Sequence, residues 1–171
     1  MFTGIVEEQG FVEALTQKPN LCVLKVRTRK VASGVKPGDS ICVNGVCLTV
    51  TLARQKVLSF DIMLETIRAT NLKELRHGSR VNLERSLKAN SRFDGHFVTG
   101  HVDTVGTLIG RVQKPNYVEF RIAFHKSLKK FIVPKGSICV DGVSLTVGEV
   151  TAKYFSVYLI PFTLKSTTFG L

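Results

Sequence analysis

The sequence predicts an all-β protein built as two tandem antiparallel barrels of Greek-key type, and three observations carry that reading. The stretch Ser40-Ile41-Cys42-Val43-Asn44-Gly45-Val46-Cys47-Leu48-Thr49-Val50 returns 97 positions later as Ser137-Ile138-Cys139-Val140-Asp141-Gly142-Val143-Ser144-Leu145-Thr146-Val147, with nine of eleven letters unchanged. Short β-branched runs recur between turn signals at regular spacing. Helical periodicity is scarce. The repeat divides the chain into units of roughly 85 residues, small but long enough for a core each. Barrel closure removes exposed edges from such short strands. A single sandwich fits the repeat poorly. We place the first barrel at residues 1–96 and the second at 97–171.

The elements follow in order. Phe2-Thr3-Gly4-Ile5-Val6 runs on to Gly10 and is echoed by Val98-Thr99-Gly100-His101-Val102, running to Gly106. A strand around Cys22 to Arg27 alternates Leu21, Val23 and Lys25 against Cys22, Leu24 and Val26. In Lys36-Pro37-Gly38-Asp39 the proline presets φ and Gly-Asp closes a corner. The repeated stretch reads as a hairpin, because Asn44-Gly45 and Asp141-Gly142 tolerate positive φ. After each turn come Cys47 or Ser144 and, two places on, Thr49 or Thr146, which share one face of a strand. A strand from Val57 to Met63 leads into Glu65–Leu72, echoed by Phe162–Phe169, so that Thr66 matches Thr163 and Thr70 matches Thr167. Thr70-Asn71 is placed to cap a single helical turn. Gly78–Glu84 reads as the closing strand of the first half, and the polar Lys88–Gly95 as the linker. The second half repeats the order, with a strand from Asn116 to Phe124 and a basic turn at Lys126–Lys130. The echo of Val81–Glu84 would fall at positions 178 to 181, so the second barrel is expected to be truncated in this chain or completed in another way.

Composition narrows the class. The chain is 44% hydrophobic and 22% charged, as in ordinary globular proteins. No run approaches the ~18 apolar residues of a membrane span. MFTGIVEEQG has neither signal-peptide nor transit-peptide character, which makes the cytoplasm the expected address and excludes a membrane partner. Without a secretory signal, Cys22, Cys42, Cys47 and Cys139 are expected as free thiols. Cys42 and Cys139, at matched positions, read as small buried hydrophobes. The net charge of +11 is spread through Lys25–Lys36, Lys73–Arg80 and Lys126–Lys130 with no aromatic residues interleaved. That pattern reads as a basic surface and not as a single-strand nucleic-acid groove.

Where the halves differ, chemistry is indicated. At matched positions the first half has Ile5, Cys47 and Glu65, and the second has His101, Ser144 and Phe162. This looks like a duplicated binding site with divided chemical labour. His96 and His101 flank Gly100 five residues apart, a spacing that sends them to opposite faces of a straight strand unless Gly100 introduces a bulge. Imidazoles suit proton transfer near neutrality, whereas His77 and His125, in basic turns, read as surface residues. Cys42, Cys47, His96 and His101 would make a Cys₂His₂ zinc set. The five-residue spacing, however, is expected to point each pair oppositely, and we expect no metal. The chain carries neither a glycine-rich phosphate loop nor a nucleophile elbow.

Taken together these motifs resemble riboflavin synthase. Met1-Phe2-Thr3-Gly4-Ile5-Val6, the NGVCLTV hairpin, Glu65-Thr66-Ile67-Arg68-x-Thr70-Asn71-Leu72 and Val81-Asn82-Leu83-Glu84-Arg85 carry the likeness in the first half. Gly95-His96-Phe97-Val98-Thr99-Gly100-His101-Val102, DGVSLTV and Leu159-Ile160-Pro161-Phe162-Thr163-Leu164 carry it in the second. The resemblance implies two six-stranded barrels, each binding one 6,7-dimethyl-8-ribityllumazine. It implies a dismutation to riboflavin and 5-amino-6-ribitylaminouracil by four-carbon transfer, the final step of riboflavin biosynthesis, needing no redox cofactor and no metal. It implies catalytic roles for Ser40, Cys47, His96 and His101. In the first half the implied substrate-binding residues are Gly4, Ile5, Val6, Cys47, Leu48, Thr49, Asp61, Ile62, Met63, Leu64, Glu65 and Thr66. In the second half they are Gly100, His101, Val102, Lys135, Ser144, Leu145, Thr146, Ile160, Pro161, Phe162, Thr163, Leu164 and Lys165. A homotrimer is implied, with the active site between the first barrel of one subunit and the second barrel of its neighbour, as is functional association with lumazine synthase. Family members usually have His where Phe162 stands, and this chain ends before the family's C-terminal strand, with its active-site aspartate, and trimerising helix. A non-catalytic lumazine- or flavin-binding antenna protein on the same fold is the alternative; the presence of Cys47, His96 and His101 favours the enzyme.

Overall fold

The computed structural model describes all 171 residues. The first six strands are β1 (Glu8–Gln17), β2 (Leu21–Arg27), β3 (Ser40–Val43), β4 (Val46–Arg54), β5 (Val57–Met63) and β6 (Arg80–Arg85). They close an antiparallel barrel in the order β1-β2-β5-β4-β3-β6. Five more follow: β7 (Thr107–Gln113), β8 (Val118–Ala123), β9 (Ser137–Val140), β10 (Val143–Val150) and β11 (Tyr154–Leu159). These make a five-stranded sheet in the order β7-β8-β11-β10-β9. In the first barrel β6 pairs with both β1 and β3 and so closes the ring. The second sheet has no such strand, and β7 and β9 remain its edges. No helix is long and apolar enough to cross a membrane.

Alternation builds the first core. Ile41, Val43, Val46, Leu48 and Val50 turn into the barrel beside Leu24, Val26, Leu58, Phe60, Ile62, Val81 and Leu83, all buried. Fully burying each such side chain contributes roughly 1.5–3 kcal/mol. The second core is smaller and centres on Val118, Phe120, Ile122, Val147, Phe155, Val157 and Leu159. Even the irregularities repeat, with register shifts in β4 between Val50 and Leu52 and in β10 between Val147 and Val150.

Two short helices form where the sequence reading assigned none, α1 (Leu64–Ala69) and α2 (Pro161–Ser166). Six residues are too few for a helical period to be visible, although Pro161 at the first turn of α2 supplies a preset φ. Each helix ends on the same device. Thr70 donates its hydroxyl to Thr66 O at 2.7 Å and accepts from Leu72 N, which caps the 3₁₀ turn Asn71–Glu74. Thr167 does the same with Thr163 O, at 2.7 Å, and Phe169 N.

The halves meet about an approximate twofold axis. Phe2 and Val98 exchange backbone hydrogen bonds of 2.8 and 3.1 Å. The two hairpin turns touch: a Cβ placed on Gly45 or on Gly142 would lie 3.0 Å from the other's backbone nitrogen. Both turns take positive φ, at Asn44 (46°) with Gly45 (83°) and at Asp141 (46°) with Gly142 (79°), as the sequence required.

Candidate functional site

Because the core-facing residues of each hairpin point inward, the residues between them point outward together. Register pairs Ser40 with Thr49 and Cys42 with Cys47, and likewise Ser137 with Thr146 and Cys139 with Ser144. Each hairpin thus presents four short polar or thiol side chains on one outer face. This corrects the expectation that Cys42 and Cys47 point oppositely. The chain reverses at Asn44-Gly45, so residues five apart become cross-strand partners on one face. Beside each outer face lies the neighbouring strand. Continuing the β4–β5 register from Val50 and Phe60 sets Asp61 next to Thr49 and Met63 next to Cys47. The same continuation from Val147 and Val157 sets Ile160 next to Ser144. Helices α1 and α2 then carry Leu64, Glu65 and Thr66, and Pro161, Phe162, Thr163, Leu164 and Lys165, onward from those strands.

Each outer face is covered by the leading segment of the opposite half. Cys47 N donates to Gly100 O at 2.9 Å, and Ser144 N donates to Gly4 O at 2.7 Å. The approach is too close for any side chain. A Cβ on Gly100 would sit 2.6 Å from Cys47 Cβ, and one on Gly4 would sit 2.7 Å from Ser144 Cβ, with φ near +80° at both. The grouping by halves is therefore corrected. Gly100, His101 and Val102 lie with Cys47 and Thr49, next to the strand that leads to Glu65, as a first candidate site. Gly4, Ile5 and Val6 belong with Ser144, Thr146, Ile160 and Phe162 in a second, where Lys135 is tied to β10 through its N–H to Val147 O at 2.8 Å. The side chains of Leu48 and Ile62 are in the first core, leaving only their backbone for a ligand. Leu145 is half-buried against the second. Ile5, Met63, Ile160 and Phe162 are exposed, Phe162 at 73%.

The two histidines have different neighbours. Their segment is not a strand; Gly100 at φ +80° turns it. His96 faces the second site, its Nδ1 2.7 Å from Ser144 Oγ. Burial lowers its pKa, which keeps the ring neutral near pH 7 and able to take a proton. His101 is exposed beside Gly100 in the first site, its N–H on Thr99 Oγ1. Ser40 stands half-buried opposite Thr49. Cys42 is buried as expected, packed with Phe2 and Val98, and Cys139 is half-buried against the same cluster. Burial pushes the Cys42 thiol well up and the Cys139 thiol to about 12, so both stay protonated. His77 and His125 are surface residues.

Sequence reasoning missed what anchors the crossing segment. Glu84 of β6, nearly buried, accepts from Thr3 N at 2.7 Å, Thr3 Oγ1 at 2.8 Å and Gly4 N at 3.0 Å. Burial raises its pKa, and those donors oppose the rise. It also missed part of the second site. A cavity of about 480 Å³ there is lined by Ile5, Val6, Phe162 and Lys165, with Glu7, Glu8, Gln9 and Lys30 from the first barrel and Ser166 of α2. A larger cleft, about 950 Å³, runs along His96–Leu108 and the inner face of the second sheet at Phe120, Ile122 and Phe155. It touches His96, Gly100, His101 and Val102 but none of Ser144, Thr146, Lys135 or the Ile160–Lys165 run.

The chain matches the lumazine binding domain family twice, over residues 3–86 and 99–171. It is 45% identical over 170 residues to riboflavin synthase of Bacillus subtilis (strain 168), a match covering 99% of this chain and 79% of that protein. It is 45% identical over 174 residues to riboflavin synthase of Mycobacterium tuberculosis (strain ATCC 25618 / H37Rv), covering 99% and 87%. With riboflavin synthase of Escherichia coli (strain K12) the identity is 41% over 172 residues, covering 99% and 81%. Among solved structures, LumP complexed with riboflavin is similar at a TM-score of 0.91 and 26% identity, over 99% of this chain and 92% of that one. LumP complexed with 6,7-dimethyl-8-(1'-D-ribityl) lumazine is similar at a TM-score of 0.88 and 26% identity, with the same coverage.

Proposed function

We propose that this chain, which belongs to the riboflavin synthase family, is a riboflavin synthase that converts two 6,7-dimethyl-8-ribityllumazine molecules to riboflavin and 5-amino-6-ribitylaminouracil. The observation that carries the proposal is the pair of matched outer faces, each roofed by the other half's leading segment. Two copies of one substrate call for two sites alike in shape. A dismutation, in which one copy donates four carbons and the other accepts them, calls for sites unlike in chemistry. The atoms of two lumazines balance those of the two products, so the reaction draws on no external oxidant.

The chemistry requires a base for the 7-methyl proton of one lumazine and nucleophilic activation of the other at C7. Ser40, Cys47, His96 and His101 are the residues we assign to these roles. Cys47 is only half-buried on its outer face, and neutral His96 is suited to accept a proton at the second site. The exposed outer-face Thr49 and Thr146, with the polar groups of α1 and α2, serve to bind the pyrimidine edge and ribityl hydroxyls. Holding two rings in reactive register supplies the larger part of the acceleration, ~7–11 kcal/mol where alignment is good. We further propose a cytoplasmic homotrimer in which a first site meets a neighbour's second site, with lumazine synthase as functional partner. Kinship in fold with LumP supports lumazine and riboflavin as ligands.

The test is incubation with the lumazine while riboflavin absorbance is followed, alongside a mass measurement of the assembly. Appearance of riboflavin supports the synthase. Binding of the lumazine without turnover would instead identify a non-catalytic, antenna-type carrier.

A further inference from the structure

The second site contains a first-barrel residue that nothing in the repeat anticipates. Gln9, on β1, extends its side-chain amide across to α2. Its Nε2 donates to Thr167 O at 2.9 Å and to Lys165 O at 3.3 Å, 158 and 156 residues away in sequence. Its Oε1 accepts from Arg80 Nη1 at 3.4 Å, which orients the amide. The residue paired with Gln9 on β6 is Asn82, and it reaches the same place. Asn82 Oδ1 accepts from Thr168 N at 2.9 Å, and its Nδ2 donates to Thr168 Oγ1 at 3.0 Å. Two neighbouring first-barrel side chains thus grip residues 165–168.

Helix α2 needs that grip. Six residues are far below the length at which a helix holds itself in water. The carbonyls at its C-terminal end lack intrahelical partners and must find donors elsewhere. A glutamine amide carries two N–H groups and so can serve two carbonyls at once. No residue of α2 is fully buried, and only Leu164 packs, half-buried, against the second core, so packing holds the helix at one point and leaves its C-terminal end to hydrogen bonds. Yet α2 carries Phe162 and Lys165, which line the second-site cavity with Gln9 itself.

We propose that Gln9 is a positioning residue for the second site, fixing from the first barrel the end of α2 and thereby the placement of Phe162 and Lys165 against the bound lumazine; this rests on the synthase reading above. The device is built once only. The repeat counterpart of Gln9 is Val105, which has no side-chain donor, and on the other side it is the 3₁₀ turn after α1 that is tied to the opposite half, by Asn71 Nδ2 donating to Asp141 Oδ1 at 2.9 Å. Loss of the Gln9 amide is therefore expected to disturb one site and spare the other.

The experiment compares wild type with Gln9→Ala and with Gln9→Asn, which is one methylene too short to span both carbonyls. Three readouts are taken: amide exchange of residues 161–171 against 64–74, a two-site lumazine titration, and steady-state kinetics. In both variants, exchange at 161–171 should quicken while 64–74 is unchanged. One of the two lumazine dissociation constants should rise by roughly tenfold, the scale of one or two lost hydrogen bonds, and the other should not move. KM should rise by a larger factor than kcat falls. Unchanged exchange overturns the proposal, because Gln9 would not be holding α2. Faster exchange with both dissociation constants unchanged also overturns it, leaving Gln9 a structural clip. Wild type that binds no lumazine sinks the synthase reading and this proposal together; wild-type turnover with unaffected variants sinks this proposal alone.

Discussion

Gly100→Ala is the most direct test of the crossed segments. The new methyl would lie 2.6 Å from Cys47 Cβ and 2.8 Å from Cys47 N. That neighbour is the backbone of β4, held by its register with β3, and cannot step aside. The segment must lift, losing the 2.9 Å bond from Cys47 N to Gly100 O. Its loss costs about 0.5–1.5 kcal/mol. Alanine at φ +80° adds about 1–2 kcal/mol of backbone strain. The sum, roughly 1.5–3.5 kcal/mol, corresponds to a melting temperature lower by roughly 3–14 °C in a chain of this size. Gly78→Ala is the control, because Gly78 has φ +83° and nothing within 4 Å of a built Cβ, so it carries the strain alone. Thermal unfolding of both variants, with riboflavin formation measured well below either transition, separates the terms. Gly100→Ala should be the less stable of the two and should lose turnover beyond what its folded fraction explains, since His101 moves with the segment. Equal melting temperatures together with wild-type turnover in Gly100→Ala would refute the crossed arrangement as the basis of the first site.

Three further outcomes are expected. Cys47→Ala and His101→Ala should each still bind lumazine in a fluorescence titration while turnover falls by roughly 100-fold or more, the usual scale for a lost acid–base or nucleophilic group. Burial lowers the folded-state pKa of His96, so as pH falls the unfolded chain takes up the proton first. The associated stability is full above about pH 6.5, the unfolded value, and is lost as pH falls through the window below it. Urea midpoints across that window should slope for wild type and flatten for His96→Gln. Glu84→Gln sets an amide donor where a carboxylate oxygen now accepts from the segment Thr3–Gly4, and should destabilise by about 1–3 kcal/mol in urea denaturation.

Much of this architecture is written in local chemistry. The Asn-Gly and Asp-Gly turns, the alternation that buries Ile41, Val43, Val46 and Leu48, and the Thr70 cap all depend on neighbours within a few residues, and each forms as its sequence requires. The closing strand was legible because Val81 and Leu83 alternate with polar residues, and β6 indeed joins β1 to β3. Helices α1 and α2 were not legible, being too short for periodicity and secured by a threonine four residues back to its carbonyl. The exchange of leading segments had no local signal beyond two glycines in matched positions. Glycine announces close approach without naming the partner, and Gly4 and Gly100 meet residues more than 50 positions away. Gln9 and Lys30 were invisible as site residues for the same reason, since they reach the second site only after the halves dock.

The exchange also changes how chemical labour is divided. Sorted by halves, the breaks in the repeat give one unit Ile5, Cys47 and Glu65 and the other His101, Ser144 and Phe162, so that thiol and imidazole are apart. Sorted by the contacts the fold makes, Cys47 lies beside Gly100-His101 and the strand that leads to Glu65, while Ser144 lies beside Gly4-Ile5 and the strand that leads to Phe162. The second site then has a single imidazole, His96, turned onto Ser144 and kept neutral by burial. A surface that had drifted would mix these residues without regard to place. Here the thiol and the exposed imidazole fall on one side, and on the other a single neutral imidazole stands near Ile5 and Phe162 in a cavity also lined by Glu7, Glu8, Lys30 and Lys165. Two sites of common descent thus differ most where a dismutation needs its donor and its acceptor to be treated differently.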